Sequence, residues 1–281
     1  MAFEVPVKQN EKLKRLTERI NRDQELWQWW RSANVNAIDR QGMSDHGEVH
    51  IKIVANAALK ILRLLLEGGV KPSVEVNYGL SPEDAEVVVV LGSCLHDVGM
   101  AIHREEHELF SVALGYPKVR QLLDGLYQEP ALTIMASEIL HAVIAHRWDI
   151  PCLTIEAGVI KVADALDMTG GRSRIPFEAG KVNIHSVSAM AVDAVNIEKG
   201  EERPVKIEII MSNSAGIFQV DELLKRKLQN SSIYPYVEVV ARIEGATERK
   251  ILGVYRLYAL SEGSKSFLCS WRAKRSVIPA M

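Results

Sequence analysis

Cysteine is scarce in this chain of 281 residues, which contains only Cys94, Cys152 and Cys269. Three cysteines so far apart, and odd in number, do not form a disulfide framework, and no two of them have the C-x-x-C spacing of a zinc site. We therefore exclude thiolates as the basis of a metal site and expect the cysteines to be small buried residues.

The chain also lacks an excess of charge of one sign. Its 34 basic and 36 acidic residues give a formal net charge of −2, so no global field attracts it to nucleic acid or to an acidic membrane. The composition therefore gives no signal for a nucleic-acid partner. Any binding of phosphate must come from a local group of cationic side chains.

Long apolar runs are missing as well. No stretch has the length of a membrane span, and the first residues, MAFEVPVKQNEKLKR, lack the apolar core and the cleavage site of a signal peptide. We therefore expect a cytoplasmic protein without a membrane segment. Because 47% of the residues are hydrophobic, the chain has enough apolar surface for a substantial core.

Histidine, by contrast, is concentrated in one region. Seven of the eight histidines lie between positions 46 and 146, and His185 stands apart. The seven are His46, His50, His96, His103, His107, His141 and His146. Clustering alone does not identify ligands, because histidine also occurs on surfaces and in cores. The spacing of the histidines has to show which of them are ligands.

Helical periodicity extends through the first two thirds of the chain. Asp45, with Glu48 three residues later, has the pattern of a capping box, and Gly68-Gly69 ends the helix that follows. Ser81-Pro82 begins another helix, whose run AEVVVVLGSCLHDVG is apolar on nearly every side and predicts the most buried element. Its four valines would also suit a buried strand, but the cap and the length favour a helix. We predict further helices within 11–35 (two helices), 105–126, 132–146 and 153–168.

Beyond about residue 170 the pattern changes to alternating apolar and polar residues, rich in Val and Ile. Segments 181–198, 204–211, 236–245 and 249–258 predict strands, and QVDELLKRKLQ at 219–229 has helical spacing. The predicted fold class is α+β, an all-helical domain followed by a small antiparallel sheet domain with a helix packed on it. We predict N-terminal helices packed on the core at 1–43, a helical domain at 44–174 that contains seven of the histidines, and a small α+β domain at 175–281.

Three segments of the helical region carry a characteristic order of residues. They are His50-Ile-Lys-Ile-Val-Ala, Leu95-His96-Asp97-Val-Gly and Lys161-Val-Ala-Asp164-Ala-Leu-Asp. A histidine, a His-Asp pair and a distant aspartate, each on its own predicted helix, resemble the H-x-x-x-V-A, L-H-D-x-G and x-x-A-D motifs of the HD superfamily of metal-dependent phosphohydrolases. The resemblance extends over residues 44–174 and does not include the predicted strands.

The resemblance implies a metal site with four ligands, His50, His96, Asp97 and Asp164. Two neutral imidazoles and two carboxylates suit a divalent transition metal such as Mn, Fe, Co, Ni or Zn, with Mg as a further candidate. Adjacent helical residues point about 100° apart, so the His-Asp pair can share one site only near the end of a helix or with local distortion. Gly99 offers that end. His46 could replace His50, and Asp167 could replace Asp164.

Members of the family can hold a second metal ion, so the resemblance implies one or two ions in this chain. Candidate ligands for the second ion are His107, His141 and His146, with Asp97 able to bridge the two ions. His103 lies one helical turn before His107, and we expect it to face solvent or substrate.

The implied reaction is hydrolysis of a phosphate monoester or diester in a phosphorylated small molecule, such as a nucleotide. A divalent cation makes a water molecule nucleophilic at neutral pH and neutralises charge on a phosphoryl oxygen. Cationic side chains must follow the substrate phosphate, and we predict that Lys161 and Arg172 act in catalysis together with Asp97. Other cations close in sequence to the implied ligands are Lys52, Arg104, Arg147 and Arg174.

Two other functions stay open from the sequence. One is a di-iron oxygenase, which iron content and oxygen consumption would identify. The other is a regulatory module that binds a nucleotide without turnover. The sheet domain could also form a homo-oligomer through an exposed edge strand, and we expect His185 within it to be a strand or surface residue.

Overall fold

A computed structural model describes residues 2–169, 184–244, 254–258 and 268–269, with backbone alone for 184–186 and for the last two segments. Up to residue 169 the elements are helical. The α-helices are α1 (Glu11–Arg22), α2 (Gln24–Asn34), α3 (Glu48–Glu67), α4 (Ser73–Tyr78), α5 (Pro82–Leu95), α6 (His107–Leu123), α7 (Ala131–Ala145) and α8 (Ile155–Ala165). A π-helical turn (Val35–Arg40) follows α2, and a 3₁₀ turn (Val98–Ala101) follows α5.

Local capping sets the start of α5 as predicted, whereas at α3 the N-cap is Gly47 instead of Asp45 and the expected capping box with Glu48 is not formed. Oδ1 of Asp45 accepts hydrogen bonds from the backbone N–H groups of Gly47 (3.0 Å) and His50 (3.1 Å), and α3 itself begins at Glu48. The side chains of Ser81 and Asp84 form a reciprocal capping box at α5. These bonds satisfy N–H groups that have no partner within their helix.

The helix α5 lies at the centre of the helical part. Every residue from Asp84 to Leu95 is buried, and α5 packs against α3, α7 and α8. Since a fully buried Val or Leu side chain contributes roughly 1.5–3 kcal/mol through the hydrophobic effect, the apolar run holds this helix firmly. The segment with four valines is therefore a helix, and its carboxyl end is fixed in the core.

The second part of the chain contains a five-stranded sheet. Helix α9 (Ile184–Met190) precedes β1 (Val192–Lys199) and β2 (Val205–Met211). A π-helical segment (Gln219–Leu224) continues directly into α10 (Lys225–Gln229). The remaining strands are β3 (Val237–Ile243), β4 (Val254–Tyr258) and β5 (Leu268–Cys269), and the strand order is β1-β2-β3-β4-β5.

The α+β fold class is confirmed, with two corrections to its details. Strands β2 and β3 are parallel, whereas the other pairs are antiparallel, so the sheet is mixed. The chain between β2 and β3 crosses over through α10, which brings β3 back in the same direction. Within the predicted strand at 181–198, residues Ile184–Met190 are helical instead, and Gln219 bonds to Ser188 of this helix (Nε2 to Oγ, 2.8 Å).

Helices and sheet share one hydrophobic core in the described residues. Apolar side chains of β2 and β3 belong to the same buried cluster as those of the helices, and α3 contacts both β1 and β2. The predicted boundary at residue 174 lies outside the described residues, so the three-part domain division stays a prediction. Among the described residues, no helix combines the length and the apolar character that crossing a membrane requires.

Candidate metal centre

Three side chains from separate elements meet on the inner side of the helical domain. His50 is on α3, His96 directly follows α5, and Asp164 is on α8. The Nε2 atoms of His50 and His96 are 3.3 Å apart, and Oδ1 of Asp164 lies 3.4 Å and 3.9 Å from them, respectively. Both histidines are fully buried. We call His50, His96 and Asp164 cluster 1.

Asp97, His107 and His146 form a second group, which we call cluster 2. Oδ1 of Asp97 lies 3.2 Å from Nε2 of His107 and 3.5 Å from Nε2 of His146, and these two nitrogens are 3.3 Å apart. The other oxygen of Asp97, Oδ2, lies 3.4 Å from Nε2 of His50 and 3.3 Å from Nε2 of His96. Asp97 therefore directs one oxygen towards each cluster.

The other nitrogen of each of these rings has a partner within the protein. Nδ1 of His50 donates a hydrogen bond to Oδ2 of Asp167 over 2.6 Å. In the other three rings Nδ1 donates to the backbone carbonyl three residues earlier, over 2.8 Å for His96, 3.0 Å for His107 and 2.6 Å for His146. Because Nδ1 carries the hydrogen, each neutral ring directs an unprotonated Nε2 towards its cluster.

Such converging lone pairs fit a bound cation. Two unprotonated nitrogens cannot hydrogen-bond to each other, yet each cluster contains an Nε2 pair at 3.3 Å. Ligand atoms about 2.1 Å from one metal ion lie about 3.0 Å apart at a right angle and about 3.4 Å apart at the tetrahedral angle. The Nε2–Nε2 distance of 3.3 Å in each cluster falls within this range. The donor sets therefore fit divalent metal ions, with Asp97 between them.

His96 and Asp97 reach the same site because α5 ends immediately before them. His96 keeps helical dihedral angles (φ −58°, ψ −36°), whereas Asp97 has left the helix (φ −109°, ψ 5°). Ser111 of α6 fixes the following turn, because its Oγ accepts a bond from N–H of Gly99 and donates one to the carbonyl of His96, each over 2.8 Å. The expectation that the helix ends here is confirmed.

Electrostatics keep the two aspartates ionised. Burial raises the pKa of Asp97, but in their protonated form the surrounding imidazoles, His96 first and then His107, His146 and His50, stabilise its carboxylate and hold this pKa well below its usual range. Burial likewise raises the pKa of Asp164, and Lys227 is the largest of the opposing influences that hold it well below the usual range. Ionised carboxylates are the form that binds metal.

The comparison with known families agrees with this geometry. The HD domain family matches residues 48–169 of the chain, a range that contains every residue of both clusters. The chain belongs to the HD superfamily. The resemblance seen in the three sequence motifs is thereby confirmed, and HD domains as a family are metal-dependent phosphohydrolases.

Individual relatives extend the comparison. The uncharacterized protein MJ1020 of Methanocaldococcus jannaschii is 47% identical over 212 residues, which cover 75% of this chain and 82% of that protein. Ribonuclease Y of Clostridium perfringens is 24% identical over 177 residues, which cover 59% of this chain and 32% of the ribonuclease. The chain thus spans about a third of the ribonuclease. No solved structure matches the chain.

Clusters 1 and 2 lie at a cavity of about 680 Å³. Cluster residues Asp97, His107, His146 and Asp164 line its inner end, and the chain around His46 forms one side. Other sides carry the cations Arg104 and Arg147, and the half-exposed Trp148. A further part of the wall comes from the predicted α+β domain, called the second domain below, through Gln219, Glu222, Leu223, Arg226 and Lys227.

Two of the predicted site residues lie elsewhere. His141 is not in either cluster; it is five residues before His146, about 140° away around α7, and its Nε2 accepts a hydrogen bond from N–H of Leu153 (3.1 Å). Lys161 is fully buried and does not line the cavity. Its ammonium group donates to the carbonyls of Ile150 and Asn230, so the structure gives it an anchoring position rather than a substrate-facing one.

The remaining predictions have mixed outcomes. Arg172 and Arg174 lie outside the described residues. Asp167 binds the ring of His50 instead of replacing Asp164. Lys52 lies over the ring of Trp27, with 5.4 Å between Nζ and the ring centroid, and does not line the cavity. Arg104 and Arg147, which the sequence also indicated, do line it.

Lys227 is the site residue that the sequence analysis missed. Its ammonium group forms an ion pair with Oδ2 of Asp164, 63 positions earlier in the chain. The sequence does contain a basic run, Lys225-Arg226-Lys227, within a segment of helical spacing. That run would have indicated a cationic surface, but nothing in it indicates which of the three side chains reaches the HD domain.

Proposed function

We propose that the protein hydrolyses a phosphate monoester or diester of a nucleotide or a related small molecule, and that divalent metal is required. The single observation that carries this proposal is the pair of His/Asp clusters that share Asp97 at the inner end of a cavity. Buried, deprotonated groups converging in this way are costly unless a cation compensates them. Membership of the HD superfamily supports the same chemistry.

In this proposal His50, His96 and Asp164 hold one ion, His107 and His146 hold a second, and Asp97 serves both. A divalent cation held by these residues would supply a nucleophilic water at neutral pH and would neutralise charge on a phosphoryl oxygen. The protein provides the orientation, because the Nδ1 bonds described above hold each ring in one tautomer and one direction.

Groups around the cavity support a phosphorylated small molecule as the substrate. Arg104 and Arg147 line the cavity from the HD domain, and Arg226 and Lys227 line it from the second domain. Guanidinium groups suit phosphate oxygens, to which they can donate two parallel hydrogen bonds. The indole of Trp148, 56% exposed, offers a face on which a base could stack. A cavity of about 680 Å³ is of the size that small ligands occupy.

The test combines metal analysis with a panel of phosphate esters. Purified protein is assayed for bound metal and for phosphate release from nucleotides, with and without added Mn²⁺, Co²⁺, Ni²⁺ or Mg²⁺. We expect metal-dependent release, and we expect Asp97→Ala to lose both metal and activity. His141→Gln is the matched control, because His141 is a histidine of the same domain whose ring bonds to Leu153; it should retain both.

Three results would contradict the proposal. Normal metal content in Asp97→Ala would remove Asp97 from the metal centre. Bound iron with oxygen consumption and without phosphate release would favour an oxygenase. Bound metal and tight nucleotide binding without turnover, over the whole panel, would favour a regulatory module.

A further inference from the structure

The carboxylate of Asp164 has a different partner on each of its two oxygens. Oδ1 faces cluster 1, 3.4 Å from Nε2 of His50. Oδ2 is turned away from the histidines and forms an ion pair with Nζ of Lys227. The side chains of Asp164 and Lys227 are 12% and 20% exposed, respectively, so little water competes for this pair. An ionic hydrogen bond of this kind fixes the rotation of a carboxylate.

Lys227 belongs to the second domain. It lies on α10, beyond residues 48–169, where the HD domain match ends. Lysine is a long, flexible side chain, so its contact with Asp164 is specific only if the backbone that carries it is held in place.

Asn230, which directly follows α10, provides that attachment. Its carbonyl accepts a hydrogen bond from N–H of Cys152 (2.9 Å) and another from Nζ of Lys161 (3.4 Å). Its side-chain amide donates to the carbonyl of Trp148 (2.9 Å). Three bonds to the chain between α7 and α8, and to α8 itself, therefore join the end of α10 to the HD domain. This attachment explains why Lys161 is buried.

A second contact fixes the same junction. Oγ of Ser232 donates a hydrogen bond to the carbonyl of Thr154 over 2.5 Å. The same Oγ is so close to α8 that a Cβ on Gly158 would lie 2.4 Å from it. The chain after α10 thus lies directly against the first turns of α8, the helix that carries Asp164. These bonds hold the carboxyl end of α10 at a fixed separation from α8, the helix that carries Asp164.

We propose that Lys227 positions Asp164 as a metal ligand, so that the second domain completes the metal centre of the HD domain. This inference rests on the proposed metal-dependent function. Lys227 acts through Asp164: by holding Oδ2, it leaves Oδ1 directed at cluster 1. Partners that orient a ligand in this way typically change metal affinity by about 10–100-fold when they are removed.

The experiment measures metal binding on the full chain, without substrate. Lys227→Met removes the ammonium group but keeps most of the side-chain length, and Lys227→Arg keeps a cationic donor. Lys225→Met is the matched control, because Lys225 lies two residues away and bonds to Asp221 of its own segment (Nζ to Oδ1, 2.8 Å). Titration calorimetry with Co²⁺ gives the affinity, and the visible absorption of bound Co²⁺ reports the geometry of its ligands.

We expect Lys227→Met to bind Co²⁺ about 10–100-fold more weakly and to change its absorption spectrum, whereas Lys227→Arg recovers part of the affinity. Lys225→Met should match the wild type in both measurements. Thermal unfolding of the metal-free proteins verifies that each variant is folded.

Unchanged Co²⁺ affinity and an unchanged spectrum in Lys227→Met would overturn the proposal. If kcat/KM for a phosphate ester nevertheless fell in that variant, Lys227 would be a substrate contact instead. Failure of the wild type to release phosphate from any ester would contradict the proposed hydrolysis, but it would leave the Co²⁺ comparison intact. The two ideas can therefore fail separately.

Discussion

Replacement of Gly99 by alanine tests the packing directly beneath the metal centre. A Cβ built on Gly99 would lie 2.0 Å from the carbonyl oxygen of His107 and 2.6 Å from the backbone nitrogen of Ser111. Because a real Cβ comes essentially no closer than 3.0 Å to such an atom, the start of α6 would have to retreat by about 1 Å. Both neighbours are backbone atoms, so no side-chain rotation can relieve the contact.

The expected loss of stability follows from that displacement. Overpacking a core typically lowers the free energy of unfolding by about 1–3 kcal/mol, and occasionally by more. Because the atoms that the new Cβ would contact are helix backbone, we expect a loss of about 3 kcal/mol for Gly99→Ala. For a chain of this size, roughly 2–4 °C per kcal/mol gives a fall in Tm of roughly 6–12 °C. The same movement carries His107 away from Asp97, so cluster 2 should lose its metal before cluster 1 does.

Urea unfolding followed by circular dichroism measures the stability, and elemental analysis measures the metal per chain. Gly115→Ala is the control within α6, the helix that Gly99→Ala would displace, because its Cβ would meet only Cδ2 of Leu140 at 3.4 Å and Cδ1 of Leu95 at 3.8 Å. Alanine is the better helix former, so this variant should be neutral or more stable by up to about 1 kcal/mol. A Gly99→Ala protein within about 0.5 kcal/mol of the wild type would refute the reasoning.

Three further measurements test other regions. Burial raises the pKa of Asp84, but hydrogen bonds from Lys12 and Tyr127 lower it overall. Asp84→Ala should therefore cost about 2–4 kcal/mol at pH 7. In urea titrations the wild type should keep this contribution above the unfolded pKa of about 3.9 and lose it as the pH falls through the folded value; no difference between the variants at pH 7 would contradict this. A chelator should lower Tm, and Co²⁺ at about 100 times its Kd should restore about 2.7 kcal/mol; an unchanged Tm would argue against buried metal. Lys161→Met should lower the free energy of unfolding by about 1–3 kcal/mol, through its bond to Asn230, with the metal content kept; unchanged stability together with a large loss of kcat would restore Lys161 to catalysis.

The positions of the helices could be predicted because local rules decide them. The Ser81–Asp84 capping box and the proline after Ser81 determine where α5 begins, whatever packs around it. The motif spacing then places His96 and Asp97 at the other end of α5. The residues of cluster 1, and Asp97 beside it, could be predicted from the sequence for the same reason. Each one occupies a fixed position on, or directly after, an identifiable helix.

What the sequence did not reveal depends on contacts between distant segments. Alternation in β2 and β3 predicts strands but not their relative direction, which the α10 crossover decides. Lys161 lies three residues before Asp164 on α8, yet its ammonium group bonds to the carbonyls of Ile150 and Asn230 and does not line the cavity. Lys227 is far away in sequence and forms the ion pair. Proximity along the chain was therefore a poor guide to which cations surround the site.

The residues matched to the HD domain and the segment that follows them contribute different parts of the candidate site. Every residue of clusters 1 and 2 lies within 48–169, whereas one wall of the cavity comes from positions 219–227 of the second domain. The candidate metal ligands therefore belong to the HD domain, whereas the shape and charge of the pocket depend partly on a segment outside it. Specificity resides in the contacts around the reacting group. For this reason the substrate of ribonuclease Y, of which the similarity covers 32%, does not transfer to this chain with the HD motifs. Under the proposed function, the walls that carry Arg147, Trp148 and Arg226 would decide which phosphate ester fits.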